Sequence, residues 1–350
     1  MEFTNPESIK SLHEKLTAAE RITIVTHMRP DGDAIGSSMG MYHTLSLYGK
    51  KAKVSLTDPI PSNISFLTEG EVSKDILIHS GQKHLTEMAI LESDLIICLD
   101  FNSLHRTDTL EKALLESKAD RVLVDHHLAP DRSQFSLVFS ETQISSASEL
   151  LYHILLSLPP VNGDASALPA EAALALMTGM TTDTNNFMNS VDPSTLHMAS
   201  SLLAAGVDRD FIIEKVYRTF REDRIRLQGH LLKDLMKITP DGVAYIVLDR
   251  NDIEKYKVED GDTEGFVNIP LSIDKVQMSI FVKEDGERLR VSIRSKRGIS
   301  ANRCAGLHFN GGGHENAAGG RLNIPSDVAD IADVAEYIET HTHTFMTEGK

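Results

Sequence analysis

Three apolar segments that each end in acidic or histidine residues constrain the fold of this chain most strongly. They are ITIVTH over Ile22–His27, DLIICLD over Asp94–Asp100 and RVLVDHH over Arg121–His127. Continuous β-branched and aliphatic runs that alternate with helical spacing are typical of parallel strands covered by helices on both faces. The carboxyl ends of such strands meet at one edge of the sheet, where open α/β sheets bind ligands. We therefore predict that these polar groups lie together at one edge.

The segment after the first strand, RPDGDAIGSS, places Asp31 and Asp33 in a turn that leads into a helix. Aspartate is common in turns and at helix N-caps, so these two carboxylates are explained equally well by local structure. Together with His27, they also match the oxygen and imidazole ligands that bind divalent cations. This stretch alone leaves both interpretations open.

The pattern of the whole chain predicts an α/β protein of two domains, as its 350 residues suggest. We expect residues 1–190 to form a mostly parallel sheet with helices on both faces, and residues 241–350 to form a smaller α/β domain. Residues 191–240 are predicted to form a helical linker, with one long charged helix over Asp208–Ile238.

Composition limits the partners that this chain is expected to bind. The formal net charge is −16, which disfavours long duplex nucleic acid and requires a basic patch or bound metal to meet any anionic substrate. The two cysteines, Cys98 and Cys304, do not form a disulfide framework. The N-terminus lacks the pattern of a signal peptide, and no apolar run has the length of a membrane span. We interpret the protein as cytoplasmic, without a membrane partner, and as a monomer or homodimer.

A set of acids and histidines is predicted at the edge of the first sheet. Its members are His27, Asp31, Asp33, Asp100, Asp125, His126, His127 and Asp183. Carboxylates a few ångströms apart repel one another, so they must be protonated or neutralised by cations. Mixed carboxylate and imidazole ligands suit a pair of Mn²⁺ or Mg²⁺ ions, the usual arrangement for attack on a phosphate. Taken alone, His126 and His127 are also explained as one core and one exposed histidine.

The predicted second domain contains a basic strand. On an alternating strand, Arg288, Arg290 and Arg294 share one face. This pattern is typical of a solvated charged face. The alternative is that Arg294, together with Arg297 in the next turn, binds a substrate phosphate.

A glycine triplet, Gly311, Gly312 and Gly313, precedes His314. Glycine permits a close backbone approach, and exposed amides bind anions. We therefore consider these four residues as a second substrate-binding element. A flexible turn with an incidental histidine is the alternative.

Several of these segments resemble the motifs of one family. THMRPDGDAIGS, LDFN, VDHH and TDT stand in the order of the four motifs of the DHH phosphoesterases, and SIRS and GGGHENAAG resemble the DHH-associated domain. The resemblance covers nearly the whole chain and is greatest to the bacterial group of nano-RNases that also hydrolyse 3′-phosphoadenosine 5′-phosphate (pAp). It implies the two-domain α/β fold and metal-dependent phosphoester hydrolysis.

The resemblance also implies a role for each site residue. One cation would be bound by His27, Asp31 and Asp100. The other would be bound by Asp33, Asp100, His126 and Asp183, with Asp100 bridging. Asp125 would orient a histidine and His127 would donate to the scissile phosphate. Substrate would be bound by Arg294, Arg297, Gly311, Gly312, Gly313 and His314.

The function that follows from the resemblance is hydrolysis of short oligoribonucleotides to nucleoside 5′-monophosphates, with removal of the 3′-phosphate from pAp as a second activity. The expected cofactors are two divalent cations, Mn²⁺ or alternatively Mg²⁺. The chain has no tryptophan and 5% aromatic residues, so an extended stacking platform for long strands is not expected. Two alternatives remain: a phosphodiesterase for linear or cyclic dinucleotides such as pApA or cyclic di-AMP, and a non-catalytic nucleotide-binding regulator.

Overall fold

The chain divides into two units between Thr219 and Phe220. The structure is a computed structural model and describes residues 5–259, 261–286 and 288–348. Each unit is built on its own six-stranded sheet. The two-domain α/β fold class predicted from the sequence is confirmed.

The first sheet carries the three apolar segments from which the fold was predicted. Its strands are β1 (Ile22–Thr26), β2 (Ala52–Leu56), β3 (Ile76–Ile78), β4 (Leu95–Leu99), β5 (Asp120–Asp125) and β6 (Leu137–Ser140). Their order is β3-β2-β1-β4-β5-β6, and every pairing is parallel. The edge strands β3 and β6 were not predicted, because they are short and only half-buried. The three strands with polar ends, β1, β4 and β5, are direct neighbours.

Helices cover both faces of this sheet. They are α1 (Pro6–Ala18), α2 (Gly32–Thr44), α3 (His79–Leu91), α4 (Glu111–Glu116), α5 (Ala147–Ser157), α6 (Ala170–Asp183), α7 (Pro193–Ala204) and α8 (Arg209–Tyr217). Successive residues of a strand point to opposite faces. Accordingly, Ile24 packs into the core under α1, α2, α5 and α6, whereas Val25 packs into the core under α3 and α4. Among the described residues, no helix has both the length and the hydropathy needed to cross a bilayer.

Helices α2 and α6 pack closely because three glycines at a spacing of four lie along α2. A Cβ atom at Gly36 would lie 2.7 Å from the backbone of Gly179 on α6. A Cβ at Gly32 would lie 2.2 Å from Thr182 Oγ1, and one at Gly40 would lie 2.6 Å from the Leu176 side chain. Real Cβ atoms do not approach neighbours so closely, so any side chain at Gly36 would force the two helices apart. This contact brings the start of α2 beside the end of α6.

The second unit is a mixed sheet with helices. Its elements are α9 (Glu222–His230), β7 (Lys237–Ile238), β8 (Val243–Leu248), α10 (Arg250–Lys255), β9 (Met278–Asp285), β10 (Arg288–Ser295), α11 (Ala301–His308), β11 (Gly312–His314), β12 (Ala317–Asn323) and α12 (Val334–Glu348). The strand order is β11-β12-β10-β9-β8-β7, with only the β8–β9 pairing parallel. The predicted alternation on β10 is present, since Leu289, Val291 and Ile293 are buried.

The prediction of one long helix over Asp208–Ile238 is wrong. Helix α8 ends at Tyr217, α9 begins at Glu222, and a π-helical turn over Leu231–Leu235 leads into β7. Tertiary packing explains the break, because Ile212 belongs to the core of the first unit whereas Leu227 belongs to a core of the second. Residues 191–240 are therefore shared between the units.

We predict that Gly36→Ala destabilises the first unit although alanine is the better helix former. Overpacking a tight contact typically costs about 1–3 kcal/mol, which outweighs a gain of about 1 kcal/mol in helix propensity. Urea denaturation followed by circular dichroism measures the change. Gly81→Ala is the matched control, because a Cβ at Gly81 on α3 meets nothing within 4 Å. A Gly36→Ala protein as stable as the Gly81→Ala protein would contradict this packing account.

Candidate metal centre

The predicted site residues of the first unit lie where the three neighbouring strands end. His27 follows β1, Asp100 follows β4, and Asp125 closes β5 ahead of His126 and His127. The parallel register places Thr26 beside Leu99 and Leu99 beside Val124. The polar groups therefore converge because the strands are adjacent and end at the same level.

Asp100 lies at the centre of the cluster. Its Oδ2 lies 3.4 Å from His27 Nε2, and its Oδ1 lies 3.5 Å from His126 Nε2 and 3.7 Å from His127 Nδ1. The residue is buried and has a φ of +64°, a left-handed conformation that is uncommon for a side chain other than glycine. Its Oδ1 is a buried acceptor without a hydrogen bond of good geometry among the described residues. Such strain and such an orphaned oxygen are typical of functional sites.

His27, Asp31 and Asp100 form one group of potential ligands. The His27 Nδ1–H donates to the Met28 carbonyl at 2.8 Å, so Nε2 is the nitrogen that faces the carboxylates. Asp31 Oδ1 lies 3.9 Å from this Nε2 and also accepts hydrogen bonds from the amides of Asp33 and Ala34. The helix-cap interpretation of Asp31 and its position in the cluster therefore both hold.

Asp33, Asp100 and His126 form a second group, which Asp183 adjoins. His126 Nε2 lies 3.9 Å from Asp33 Oδ2 and 3.6 Å from Asp183 Oδ2. Since Asp183 ends α6 and Asp33 begins α2, the glycine contact between these helices brings the two acids together. Asp100 is common to both groups of ligands.

Two backbone amides that the sequence does not predict hold Asp33. The amides of Ala147 and Ser148, at the start of α5, donate to Asp33 Oδ2 at 2.6 Å and to Oδ1 at 2.8 Å. The positive end of a helix stabilises an anion in this position. The serines that precede α5 indicate a helix start, but nothing local in the sequence shows that this start faces Asp33.

Asp125 and His127 form a pair beside the shared carboxylate. Asp125 is fully buried, and its Oδ1 accepts a hydrogen bond from His127 Nδ1 at 2.7 Å. This bond sets the tautomer of the imidazole, with Nε2 left as its second functional nitrogen. The pair has the geometry of a carboxylate that orients an imidazole.

The cluster holds excess protons in the absence of cations. Burial opposes ionisation of Asp100, but the imidazoles of His126 and His27 outweigh it and hold the Asp100 pKa well below its usual range. Burial lowers the His27 pKa, but Asp100 and Asp31 together raise it to about 9. Burial and the neighbouring Asp31 and Asp100 raise the Asp183 pKa to about 7. The acids are thus too crowded to ionise together.

The donor atoms fit divalent cations. In each group, the carboxylate oxygens and imidazole nitrogens lie within 4.8 Å of one another. Carboxylate oxygens are ligands for Mg²⁺ and Mn²⁺, and imidazole nitrogens are ligands for divalent transition metals. Divalent cations would also offset the negative charge of the crowded carboxylates.

The predicted basic residues of the second unit differ in their environment. Arg294 is half-buried on β10, and its Nη1 donates to the carbonyls of Ile293 and Ala318 at 3.0 and 3.5 Å. Arg297 is exposed in the turn after β10. Hydrogen bonds to two backbone carbonyls therefore fix the guanidinium of Arg294 in position.

The glycine triplet serves packing within the second unit. A Cβ at Gly311 would lie 1.9 Å from the Gly319 carbonyl, and one at Gly313 would lie 2.6 Å from the Ala317 carbonyl. The Gly313 amide donates to Asn302 Oδ1 at 2.8 Å, so it is already satisfied. Gly312 is exposed and the half-buried His314 ends β11. The close approach that the triplet permits is thus one between β11 and β12.

Fold and site together define a two-domain α/β protein with a cluster of carboxylates and imidazoles, a candidate metal site, at the edge of its parallel sheet. Residues 21–180 match the DHH family, N-terminal domain, and residues 241–339 match the DHHA1 domain. A bifunctional oligoribonuclease and PAP phosphatase from Thermus thermophilus is 30% identical over 90% of this chain and 89% of its own length. The chain belongs to the DHH family.

Solved structures agree with this assignment. An exopolyphosphatase-related protein from Bacteroides fragilis has a TM-score of 0.89 and 35% identity, covering 99% of this chain and 98% of that one. The exonuclease RecJ bound to manganese has a TM-score of 0.58 and 16% identity, covering 99% and 96% of the two chains. The likeness to RecJ shows a shared fold.

We predict that Mn²⁺ binding releases protons and strengthens as the pH rises. The pKa values of His27 and Asp183 are raised to about 9 and about 7, so at pH 7 His27 is protonated and Asp183 is about half protonated. A cation bound to these groups must displace their protons. The affinity should rise by up to about tenfold per pH unit for each proton displaced. Calorimetry at pH 6, 7 and 8, in buffers that differ in ionisation enthalpy, gives the affinity and the number of protons released. An affinity independent of pH would contradict the proton count.

Proposed function

We propose that the protein is a metal-dependent phosphodiesterase that hydrolyses short oligoribonucleotides to nucleoside 5′-monophosphates and removes the 3′-phosphate from pAp. The observation that carries this proposal is the pair of ligand groups that share Asp100. The Thermus thermophilus relative, whose name states both activities, supports the choice of substrate. The proposal includes a cytoplasmic location, consistent with two buried cysteines that form no disulfide.

In this proposal Asp100 would be a ligand common to two cations. His27 and Asp31 would complete the ligands of one, and Asp33, His126 and Asp183 those of the other. When bound, the cations would make water nucleophilic at neutral pH and neutralise charge on the phosphate. Mn²⁺ is favoured over Mg²⁺ because imidazole ligands suit a transition metal better than Mg²⁺, which prefers oxygen ligands. RecJ has been solved with either ion. The rigid strand and helix ends hold the ligands in place before cations bind.

His127 is proposed to donate a hydrogen bond to the scissile phosphate. Asp125 accepts a hydrogen bond from His127 Nδ1, which fixes the orientation of the ring. A protonated imidazole stabilises negative charge that develops on phosphate oxygens. Asp125 therefore acts through His127 and does not itself contact the substrate.

Substrate binding is assigned to residues of the second unit, Arg294 foremost. The Arg294 guanidinium is held in place by the Ile293 carbonyl, and the planar fork of N–H groups on an arginine matches the geometry of a phosphate. Arg297, Gly311, Gly312, Gly313 and His314 are included in this assignment, and Gly312 has the most open surroundings of the three glycines.

Short substrates are favoured over long ones. A protein with a net charge of −16 repels a long polyanion, whereas two cations and a few arginines would be enough to bind one or two phosphates.

Linear and cyclic dinucleotides carry the same phosphate and nucleoside groups, so the turnover of pApA, cyclic di-AMP, pAp and pyrophosphate should be compared. Tight nucleotide binding without hydrolysis in Mn²⁺ or Mg²⁺ would instead favour a regulator.

We predict that Asp100→Asn abolishes hydrolysis of an end-labelled diribonucleotide in Mn²⁺. Loss of the shared ligand should lower kcat/KM by about 10³-fold or more, because both cations depend on it. Asp164→Asn, a substitution of an exposed loop aspartate, is the control and should behave as wild type. Release of monophosphate by Asp100→Asn at the wild-type rate would reject the proposed centre.

We predict that Arg294→Gln raises KM for the diribonucleotide by about tenfold, because one charged hydrogen bond to a phosphate is lost. Hydrolysis of bis-p-nitrophenyl phosphate, which lacks a nucleoside and a second phosphate, should change little. Arg288→Gln on the exposed start of β10 is the matched control. Equal losses on both substrates would show that Arg294 does not recognise the nucleotide.

A further inference from the structure

The residues that follow Asp183 form a left-handed turn. Asn185, Asn186 and Phe187 have φ values of +46°, +57° and +66° in succession. Asparagine tolerates this region, but a bulky residue such as phenylalanine rarely enters it, and left-handed residues normally occur singly. A run of three in the loop beside a metal ligand therefore needs a structural cause.

Hydrogen bonds within the loop hold this turn against the end of α6. The Asn186 amide donates to the Thr181 carbonyl at 2.7 Å, and the Met188 amide donates to the Thr184 carbonyl at 2.9 Å. The buried Thr184 side chain accepts from the Phe187 amide at 3.1 Å and donates to the Met180 carbonyl at 2.8 Å. Asp183 thus lies within a segment whose backbone is tied on both sides.

Helix α8 clamps the turn from outside. Arg209 Nη2 donates to Asn186 Oδ1 at 2.5 Å, and its guanidinium lies 5.8 Å from the centre of the Phe187 ring. Tyr217, at the other end of α8, donates to the Thr181 carbonyl at 3.2 Å. A positive charge at the first position of a helix is unfavourable with respect to the helix dipole, so Arg209 does not stabilise α8. The stabilising contacts of Arg209 are those with Asn186 and Phe187.

Asp183 depends on such support more than the other proposed ligands. Asp33 is held by two amides of α5, and Asp31 by two amides of α2. The Asp183 side chain is 32% exposed, against 1% for Asp33 and 43% for Asp31, and its Oδ2 lies 3.6 Å from His126 Nε2. Among the described residues, no backbone amide donates a hydrogen bond to the Asp183 carboxylate. The position of the Asp183 carboxylate therefore depends on the conformation of its backbone, whereas hydrogen bonds from amides fix the carboxylates of Asp31 and Asp33.

We infer that Arg209 is a positioning residue that fixes the Asp183 carboxylate through the left-handed turn Asn185–Phe187. This inference rests on the proposed metal centre and deepens it. Arg209 would set the affinity of the cation that Asp183 binds, without contact with the cation or the substrate. The cation bound by His27 and Asp31 would not depend on Arg209.

The test is Mn²⁺ titration by calorimetry of the full chain carrying Arg209→Ala. We expect the affinity of one of two sites to fall by about tenfold, the lower range for loss of a group that supports a metal ligand. The melting temperature without metal should fall by no more than about 2–4 °C, the shift expected when about 1 kcal/mol of stability is lost in a unit of this size. Arg218→Ala is the matched control, because Arg218 is an exposed arginine at the end of the same helix. It should bind Mn²⁺ as wild type does.

A parallel titration of Asp183→Asn separates this inference from the proposed function. If Asp183→Asn and Arg209→Ala weaken the same site, the inference holds. If Asp183→Asn weakens a site and Arg209→Ala does not, the positioning role is wrong although the metal centre stands. If Asp183→Asn leaves both affinities unchanged, the assignment of Asp183 as a ligand fails and the inference fails with it. A lower melting temperature with unchanged Mn²⁺ affinity would show that Arg209 is only structural.

Discussion

Mutual repulsion of the carboxylates around Asp100 is the constraint on which the rest of the structure depends. His126 and His27 hold Asp100 ionised, but burial, together with the neighbouring carboxylates, raises the pKa of Asp183 and of Asp33. Imidazoles alone therefore cannot keep every acid of the cluster charged. Divalent cations would offset the repulsion among the carboxylates, and they would also attract the negative charge of a phosphate.

The fold opposes this repulsion with rigid contacts. Three parallel strand ends bring the imidazoles to Asp100, and the amides of α5 hold Asp33. The contact of Gly36 with Gly179 sets the separation of α2 and α6, and hence that of Asp33 and Asp183. A site supported in this way is preorganised, so the ligand side chains need little rearrangement when cations bind, and the binding free energy is not reduced by that cost.

The parts of the site that could be predicted are those with a local signal. Continuous apolar runs that end in acids indicate parallel strands, and their common edge follows from sheet geometry alone. The contact of α2 with α6, the amides on Asp33 and the clamp of Arg209 on Asn186 join residues that are distant in sequence, and no periodicity shows them. The helix predicted over Asp208–Ile238 failed for the same reason, because two separate cores divide a stretch whose local spacing is continuous.

Anomalous scattering from crystals soaked in manganese tests the central claim most directly. Two peaks are expected on either side of Asp100, separated by about 3.5–4 Å as in other two-metal sites. One should lie beside His27 and Asp31, and the other beside His126 and Asp183. An absence of peaks at these strand ends, in crystals that bind manganese elsewhere, would contradict the account.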